Sequence, residues 1–311
     1  MLWFRPSSSL PGWVACVPQG ERALLAHVER RADAPPAVHW VADEAWTTPT
    51  DTLRGLKRQR ALGRHRRVLQ LQRAHYRLAT LDTPADVPRA EWAAAVRWQL
   101  RDAVDFPVDS AAIDVLAMPE GASYRAQPQL IAVAAAEAAV RPQVELAHGA
   151  GLPWDAIDIP ETALRNLAVL VQTEDRLQAL LHCEDAYSTL IVTYQGELLA
   201  TRHFELSLAA LTNPDDDARQ RAFDQIGLEL QRTLDGIERS FGQVAMSRLV
   251  VTPMPGQQAL CDHLAPLLYV PVAPYDTAGA LDLSALPTLA DDPVALNRSL
   301  RAIGAALRDD A

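Results

Sequence analysis

The sequence has few cysteines, a single lysine and no long apolar run. The three cysteines, Cys16, Cys183 and Cys261, fit neither a CxxC zinc site nor a disulfide framework, which indicates a reducing compartment. Lysine occurs only at Lys57, which lies in no glycine-rich loop, so a P-loop is excluded. Because no run of 18 apolar residues occurs, we expect no helix of this chain to span a bilayer.

Catalytic signatures and a basic net charge are also missing. There is no GxSxG, no HExxH and no GxGxxG after a strand, so the common hydrolase, zinc-protease and dinucleotide sites are not indicated. The formal net charge of -10 argues against a general nucleic-acid-binding protein. The composition is that of a globular protein, and 311 residues exceed the usual size of one core, so we expect two domains or one domain with an insertion.

One segment is basic although the chain is acidic overall. Between residues 52 and 81 there are nine basic residues and no acidic one. A solvated helix and loop is the simplest explanation. The alternative is contact with anionic lipid headgroups or an acidic partner, where each basic residue near a membrane contributes about 1 kcal/mol. The residues proposed for that contact are Arg58, Arg60, Arg64, Arg66 and Arg67.

The order of apolar patterns indicates an α/β fold with mixed sheets. A hairpin is expected over 14–28, and extended stretches over 67–81 belong to a β-α-β-β-α unit at about 63–150. Within this unit, residues 88–104 have helical spacing with Asp86 as the N-cap. The next predicted elements are strands at 113–118, 129–135 and 157–159 and helices at 137–148 and 161–172.

Three consecutive strands and a long helix follow. Residues 180–206 predict the strands, with turns at 183–187 and at Gln195-Gly196. The helix begins after Asp215, and its apolar residues recur at steps of three and four. They are Phe223, Ile226, Leu230, Leu234, Ile237 and Phe241. A strand at 248–252 and helices at 257–267 and 293–307 complete the prediction.

The first turn of the triple hairpin carries Glu184 and Asp185 side by side. With His182 and Cys183 just before them, a metal site or a Cys-His pair is an alternative to a structural turn. Neighbours in a strand point to opposite faces, so His182 and Cys183 would not meet, and no metal site is predicted. Asp158 is expected to end a strand or cap a helix.

Four segments carry a resemblance to a known family. They are EWAAAVRWQLRDAVDFPVDSAAIDVLAMP (91–119), IAVAAAEAAVRPQVELAHGAGLPWDAIDIPETALRNL (131–167), ELQRTLDGIERSFGQVAMSRLVVT (229–252) and RAIGAALR (301–308). In this order they resemble the actin-like ATPase superfamily with an FtsA-type insert, and within it the PilM-like and above all the MshI-like pilus biogenesis proteins. The segment AGLPWDAIDIPETALRNL is the most specific.

The resemblance implies an α/β, ribonuclease H-like fold of two lobes with an inserted α+β subdomain. Residues 1–62 and 151–175 would form the first lobe, 63–150 the insert and 176–311 the second lobe. The last helix would either stay in the second lobe or return to the first.

The family's nucleotide-binding positions carry unsuitable residues in this sequence. In actin-like ATPases two hairpin turns with Asp-x-Gly hold the phosphates and Mg²⁺, and a Gly-Gly turn holds the adenosine. A carboxylate at the glycine position would repel a triphosphate. The resemblance therefore implies a degenerate site, with binding of ATP and Mg²⁺ as the alternative. The matching positions are Val17, Gln19, His182, Glu184, Ser188, Thr189, Pro253 and Met254, of which Ser188 and Thr189 agree with the family pattern.

The resemblance also implies a partner. PilM-like proteins hold the cytoplasmic N-terminal tail of a bitopic PilN-like inner-membrane protein in a groove between the first subdomain and the insert, and link it to the pilus motor ATPase and platform. An adaptor, cytoplasmic and peripheral to the inner membrane, is therefore expected. The candidates for partner binding are Leu69, Leu71, Tyr76, Trp98 and Phe106.

Two other functions stay open at this point. A working actin-like ATPase of pilus or type II secretion machinery is one, and a pilus-unrelated scaffold that uses the basic segment at a membrane surface is the other. The related L component of type II secretion continues into a transmembrane helix, whereas this sequence ends at Ala311 after a predicted helix. That difference favours the pilus assignment.

Overall fold

The computed structural model describes residues 10–124, 127–172 and 175–309. The strands of this part are β1 (Trp13–Gln19), β2 (Arg22–Glu29), β3 (Ala37–Ala45), β4 (Arg66–Gln70), β5 (Tyr76–Asp82), β6 (Ala112–Ala117), β7 (Gln129–Ala135), β8 (Ala156–Asp158), β9 (Leu177–Cys183), β10 (Ser188–Tyr194), β11 (Glu197–Phe204), β12 (Met246–Val251) and β13 (Val272–Pro274). The helices are α1 (Pro49–Gln59), α2 (Trp92–Ala95), α3 (Glu137–Gly149), α4 (Pro160–Val169), α5 (Leu208–Leu211), α6 (Asp216–Phe241), α7 (Gln257–Leu264), α8 (Thr277–Ala280), α9 (Pro287–Ala290) and α10 (Pro293–Ala306).

Two five-stranded sheets have the same topology. The first has the order β3-β2-β1-β4-β8 and the second the order β11-β10-β9-β12-β13. In each sheet three antiparallel strands are followed by two strands parallel to the first one. Each sheet is the centre of one lobe, so the chain consists of two lobes built on one plan.

The triple hairpin of the second sheet lies where the sequence places it. β9, β10 and β11 pair antiparallel, and Gln195 and Gly196 both have positive φ in the turn between β10 and β11. Two successive residues of positive φ match the twist of a tight hairpin, which explains the glycine. Nearly every residue of β9 and β10 is buried, because both faces of this sheet are covered.

The insert is a three-stranded antiparallel sheet of order β5-β7-β6. The predicted start of the insert at residue 63 needs correction, because β4 pairs parallel with β1 in the first sheet. At the C-terminal end of the predicted insert, the loop after α3 contacts α1 of the first lobe. Lys57 Nζ of α1 donates to the carbonyl oxygen of Gly151 in this loop at 2.9 Å. The sheet of the insert therefore covers residues 76–135 only.

The predicted single helix over residues 88–104 is wrong. The segment consists of α2 and short 3-10 turns at Arg89–Glu91 and Arg97–Leu100. Asp86 has positive φ and lies in a turn before the segment, so it does not cap a helix. In the 3-10 turns, hydrogen bonds join residues three apart in place of the α-helical pattern of residues four apart. One example is the bond from the Gln99 amide to the Val96 carbonyl at 3.0 Å.

Helices α4, α6 and α10 link the sheets to their surroundings. The predicted long helix is confirmed as α6, capped by Asp215, and all six residues of its predicted apolar face are buried against the second sheet. α10 packs against β1, β2 and α4 of the first lobe. α4 lies between the lobes, where Leu164 and Leu167 share one core with Leu180 and Ile191 of the second sheet.

The described residues include no helix that is both long and apolar enough to cross a membrane. All three cysteines are buried as free thiols. Burial raises the pKa of the Cys183 thiol to about 12 and that of Cys261 to about 11, so these side chains act as small apolar residues in the core.

Three histidines pack against each other on the first sheet. The ring of His27 lies 4.7 Å from that of His39 and 4.3 Å from that of His65. His39 Nε2 lies 2.8 Å from a carboxylate oxygen of Glu29. Burial lowers the pKa of His27, and the charge of a protonated His39 lowers it further. Burial also lowers the pKa of His65, to about 4, and protonated His27 and His39 add to this shift. Arg64 lowers the pKa of His65 further.

We predict that His65 makes the fold acid-sensitive. In the unfolded chain His65 binds a proton below pH 6.5, whereas in the folded chain it stays neutral down to about pH 4. Stability from this group is therefore complete above pH 6.5 and is lost as the pH falls towards 4. Compared with a His65→Leu variant, the wild type should lose about 3 kcal/mol more unfolding free energy over this interval in urea titrations.

The leucine keeps this buried position filled, because His65 is 7% exposed. It also removes the hydrogen bond of His65 to the Pro11 backbone, so the comparison is of the change in stability with pH and not of the stability at one pH. The carboxylates of the chain titrate equally in both proteins and cancel in the difference. Parallel stability curves for the two proteins would contradict the prediction.

Candidate functional site

The two hairpin turns that match the family's phosphate positions lie at the ends of β1 and β9. Val17 is buried in the core between the lobes, and Gln19 is half-buried at the end of β1. In the second turn His182 is buried, Glu184 is half-buried and Asp185 is exposed. The second turn therefore brings a carboxylate to the boundary between the lobes.

An arginine of the last helix neutralises Glu184. Arg301 of α10 is 7% exposed, and its Nη1 lies 3.2 Å from Glu184 Oε1 and 3.3 Å from Oε2. The same nitrogen lies 3.4 Å from the hydroxyl of Tyr187. Burial raises the pKa of Tyr187, and the charge of Glu184 adds to this effect. This charge-assisted contact ties α10 of the first lobe to the second lobe.

His182 and Cys183 lie on opposite faces of β9, as the strand alternation predicts. His182 Nδ1 lies 2.9 Å from Thr252 Oγ1, whereas Cys183 packs in the core beneath α6. Burial lowers the pKa of His182, although the charge of Glu184 opposes the shift. Because the imidazole of His182 does not contact the thiol of Cys183, these two side chains do not form a Cys-His nucleophile pair.

The other matching positions make structural contacts. Ser188 Oγ donates to the carbonyl oxygen of Leu206 at 2.7 Å. Pro253 and Met254 are buried, and Asn297 Nδ2 of α10 donates to the carbonyl oxygen of Pro253 at 2.8 Å. The turn after β12 is thus a second contact between α10 and the second lobe.

A buried carboxylate lies next to this region. Glu161, in the first turn of α4, has no exposed surface. The Tyr76 hydroxyl donates to its Oε2 at 2.5 Å, and His203 Nε2 lies 3.1 Å from its Oε1. Arg73 Nε lies 3.1 Å from His203 Nε2 and 3.9 Å from Glu161 Oε1, and Thr189 Oγ1 lies 3.1 Å from His203 Nδ1. We call these five side chains the Glu161 network.

The Glu161 network joins three parts of the molecule. Tyr76 belongs to the insert, Glu161 to the helix between the lobes, and Thr189 and His203 to the second sheet. Burial is the main cause that raises the pKa of Tyr76, followed by the charge of Glu161, so Tyr76 stays a hydrogen-bond donor. The N-terminus of α4 also favours a negative charge at Glu161.

A groove separates the first lobe from the insert. It has a volume of about 350 Å³ and lies between β6, an edge strand of the insert, and β8, an edge strand of the first sheet. Leu116, Val133 and Ile157 line it with apolar surface. Arg308 and Asp158 line its polar side and form an ion pair at 2.8 Å. Both β6 and β8 have one paired side among the described strands, so strand edges border this groove.

Asp158 ends β8, in agreement with its predicted strand-end role, and it precedes Ile159, the N-cap residue of α4. Its Oδ1 accepts hydrogen bonds from the Ile159 amide at 2.9 Å and from the Thr162 hydroxyl. Its Oδ2 accepts from Arg308. These bonds satisfy a carboxylate that is 7% exposed.

The residues predicted to bind a partner do not lie together. Leu69, Leu71 and Tyr76 are at most 4% exposed and share one core. Phe106 packs against the core on the outer face of the insert, and Trp98 is 72% exposed on the segment that covers that face. The prediction is corrected for Leu69, Leu71 and Tyr76, because buried side chains cannot contact a partner.

The basic segment divides into paired and exposed arginines. Arg58, Arg64 and Arg66 are exposed, and Arg60 and Arg67 are half-buried. Three of the five have partners within the chain: Arg67 Nη2 lies 2.9 Å from Asp155, and the guanidinium groups of Arg60 and Arg66 lie 4.7 and 5.5 Å from the ring centroids of Trp40 and Trp13. The segment therefore contributes largely to the structure of the first lobe.

Sequence reasoning missed Glu161, His203, Arg73 and Arg301. The sequence contains no clear signal for Glu161, because residues 159–168 also include the polar Thr162, Arg165 and Asn166, and only the structure shows that this segment is nearly all buried. The partners of Glu161 could not be found from the sequence either, because they lie 42 and 85 residues from it in the chain.

We predict that Glu161→Gln destabilises the protein by about 3 kcal/mol, because it removes the buried charge that Tyr76, His203 and Arg73 surround. Urea denaturation measures this change. The control is Glu197→Gln, which breaks the ion pair of Glu197 with Arg165 of α4. That pair is partly exposed, so its loss should cost less than about 1 kcal/mol. Equal effects of the two substitutions would contradict the prediction.

Comparison with solved structures identifies the fold. A structure described as a PilM-PilN type IV pilus biogenesis complex matches with a TM-score of 0.71 over 97% of this chain and 99% of that chain, at 22% identity. A Bacteroides thetaiotaomicron protein described as having an actin-like ATPase fold matches with a TM-score of 0.50 over 93% and 99%, at 10% identity. No protein-family model and no curated protein matches this sequence. The predicted fold is confirmed: the chain has the two-lobed actin-like ATPase fold with an inserted subdomain.

Proposed function

We propose that this protein is an assembly-platform adaptor of MSHA-type, type IV pilus biogenesis, similar to MshI and PilM. It binds the cytoplasmic tail of a PilN-like inner-membrane protein and has a degenerate nucleotide site. The observation that carries this proposal is the groove between the edge strands β6 and β8. The solved structure of similar fold that is described as a PilM-PilN complex supports the choice of partner.

The groove suits an extended peptide. An edge strand offers backbone N–H and C=O groups to a chain laid beside it, and apolar pockets select alternate side chains. Leu116, Val133 and Ile157 form the apolar surface here. Arg308 Nε is buried and has no hydrogen-bond partner in the described part of the chain, so it is a donor for a peptide carbonyl or carboxylate.

Degeneracy of the nucleotide site is supported by the side chains at the matching positions. Glu184 holds a negative charge at a phosphate position and has its counter-ion within the protein, in Arg301. A triphosphate at this point would have to break that pair and face the carboxylate. Pro253 and Met254, both buried, replace the open glycine turn.

A place at the cytoplasmic face of the inner membrane follows from the proposed partner. The tail of a bitopic protein lies next to the membrane surface, and its adaptor would be peripheral to that surface. Arg58, Arg64 and Arg66 are exposed in the basic segment and are candidates for contact with anionic lipid headgroups or an acidic partner. Links to the pilus motor ATPase and platform complete the proposed role.

We predict that a synthetic peptide of the cytoplasmic N-terminus of a PilN-like protein from the same organism binds the purified protein in isothermal titration. Leu116→Arg should weaken binding at least tenfold, because it places a long charged side chain in the groove. Trp98→Ala should leave binding unchanged, because Trp98 lies on the segment covering the outer face of the insert. Loss of binding with Trp98→Ala, or unchanged binding with Leu116→Arg, would place the tail elsewhere.

A second prediction concerns nucleotide. Addition of millimolar Mg-ATP should shift the melting temperature by less than about 1 °C, because a ligand raises stability only when its concentration exceeds its dissociation constant for the folded protein. A shift of several degrees would overturn the degenerate site and restore the ATPase alternative. The peptide titration is independent of this result, so the two parts of the proposal can fail separately.

A further inference from the structure

The second sheet also ends in an unpaired edge, β11. Within the described residues this strand pairs with β10 only. Two adjoining cavities, of about 360 and 660 Å³, lie along it and share Ala200, Thr201 and Arg239 in their walls. We call them together the β11 groove. It lies between the second lobe and the insert, and its walls contain none of the residues that line the β6–β8 groove.

One wall of the β11 groove is basic. Arg202 of β11 and Arg232 and Arg239 of α6 line it. Arg232 Nη1 lies 3.5 Å from Glu229 in an exposed pair, and Arg239 Nε donates to the backbone carbonyl of Asp235. Arg202 forms no ion pair within the described ranges. Three guanidinium groups with one carboxylate among them are a positive site on a chain of net charge -10.

Two acidic residues of α6 lie close to this wall but do not line the groove. Burial raises the pKa of Tyr269 to about 12, and the charges of Glu238 and Asp235 add to this effect. Asp235 lies three residues after Arg232 and four before Arg239, so it is a neighbour of both on the helix surface. The walls of the two cavities include the three arginines and neither of these carboxylates.

The other wall belongs to the insert and is mixed, with apolar side chains beside the polar Thr80, Ser123 and Gln129. Leu78 of β5, Ile131 of β7 and Met118 line the larger cavity. Thr201 lines both cavities, and its Oγ1 is buried without a hydrogen-bond partner. A buried hydroxyl without a partner is costly unless a further group bonds to it, so Thr201 offers a donor and an acceptor to a chain in the groove.

Gly236 leaves room on the basic wall. It lies in the interior of α6, where glycine costs about 1 kcal/mol relative to alanine. Packing does not require it, because a Cβ at this position would meet no atom within 4 Å. The missing side chain keeps the smaller cavity open.

We propose that the β11 edge binds an extended segment of a partner protein in which acidic and apolar residues alternate. Successive side chains of an added strand point to opposite faces. Acidic side chains would meet Arg202, Arg232 and Arg239, and the apolar ones would meet the wall of the insert. Charge complementarity with the three arginines selects an acidic segment. This site is separate from the one proposed for the PilN-like tail.

The test uses the full chain and a labelled eight-residue peptide that alternates Glu and Val, which matches the length of β11. Fluorescence anisotropy should show binding of this peptide and at least tenfold weaker binding of the matching Lys-Val peptide. Charge reversal at the exposed Arg202, as Arg202→Glu, should weaken binding of the Glu-Val peptide at least tenfold. Equal binding of the two peptides, or no binding of Glu-Val up to about 1 mM, would overturn the proposal.

Substitutions of two glycines distinguish an effect of filling the β11 groove from a general effect on the fold. Gly236→Leu should abolish binding of the Glu-Val peptide, because the new side chain occupies the smaller cavity. Gly55→Leu is the matched control, since Gly55 also lies inside a helix and its added Cβ also meets no atom within 4 Å. Binding by Gly236→Leu equal to that of Gly55→Leu would contradict the proposal.

The two peptide sites can be told apart with the same variants. Leu116→Arg, which fills the β6–β8 groove, should leave binding of the Glu-Val peptide unchanged. Gly236→Leu should leave binding of the PilN-like tail peptide unchanged. If Leu116→Arg abolished binding of the Glu-Val peptide, the acidic segment would belong to the β6–β8 groove and the β11 site would be refuted.

Discussion

The position of the insert relative to both lobes depends on one buried carboxylate. Glu161 has no exposed surface, so its charge requires partners inside the protein. It finds them in Tyr76 at the start of β5 and in His203 of β11, and Arg73 lies beside His203. Tyr76 and Arg73 are close in sequence, whereas His203 lies more than a hundred residues later in the chain. Groups from the insert and from the second sheet share the Glu161 carboxylate as their acceptor. This shared acceptor favours the one arrangement in which both parts reach it.

The walls of the β11 groove follow from the same contact. Tyr76 is the first residue of β5, and Leu78, Ala79 and Thr80 of that strand line the groove. His203 lies on β11 next to Arg202, which lines the opposite wall. Because Glu161 holds Tyr76 and His203 together, it also sets the distance between the two walls. The charged core contact and the surface groove are thus one structural unit.

The sequence predicted those features that depend on local pattern. The face of α6 repeats at steps of three and four, and the turn at Gln195-Gly196 carries the positive φ that a tight hairpin needs, so both could be predicted. Pairing between distant strands could not. β4 was assigned to the insert because it precedes the insert in sequence, yet it pairs with β1, about fifty residues earlier in the chain.

The candidate site was harder to predict than the fold. Family resemblance predicted where the hairpin turns lie and that their residues are unsuited to phosphate, but it did not predict the partner of Glu184. That partner is Arg301, 117 residues from Glu184 in the chain. Exposure was a further difficulty. Leu69, Leu71 and Tyr76 have the apolar character of a binding surface, and only the three-dimensional structure shows that this surface is already covered.

The contacts between the lobes bear on how an adaptor of this fold would work. In an actin-like ATPase a nucleotide between the lobes can change their relative position, since its phosphates contact both. Here the same boundary is crossed by Arg301 with Glu184 and by Glu161 with His203. Side chains that are always present cannot be released by hydrolysis. If tails of two partners bind at β8 and at β11, these contacts hold the two tails at a constant separation. A scaffold needs a constant separation between its partners, whereas a motor must be able to change it.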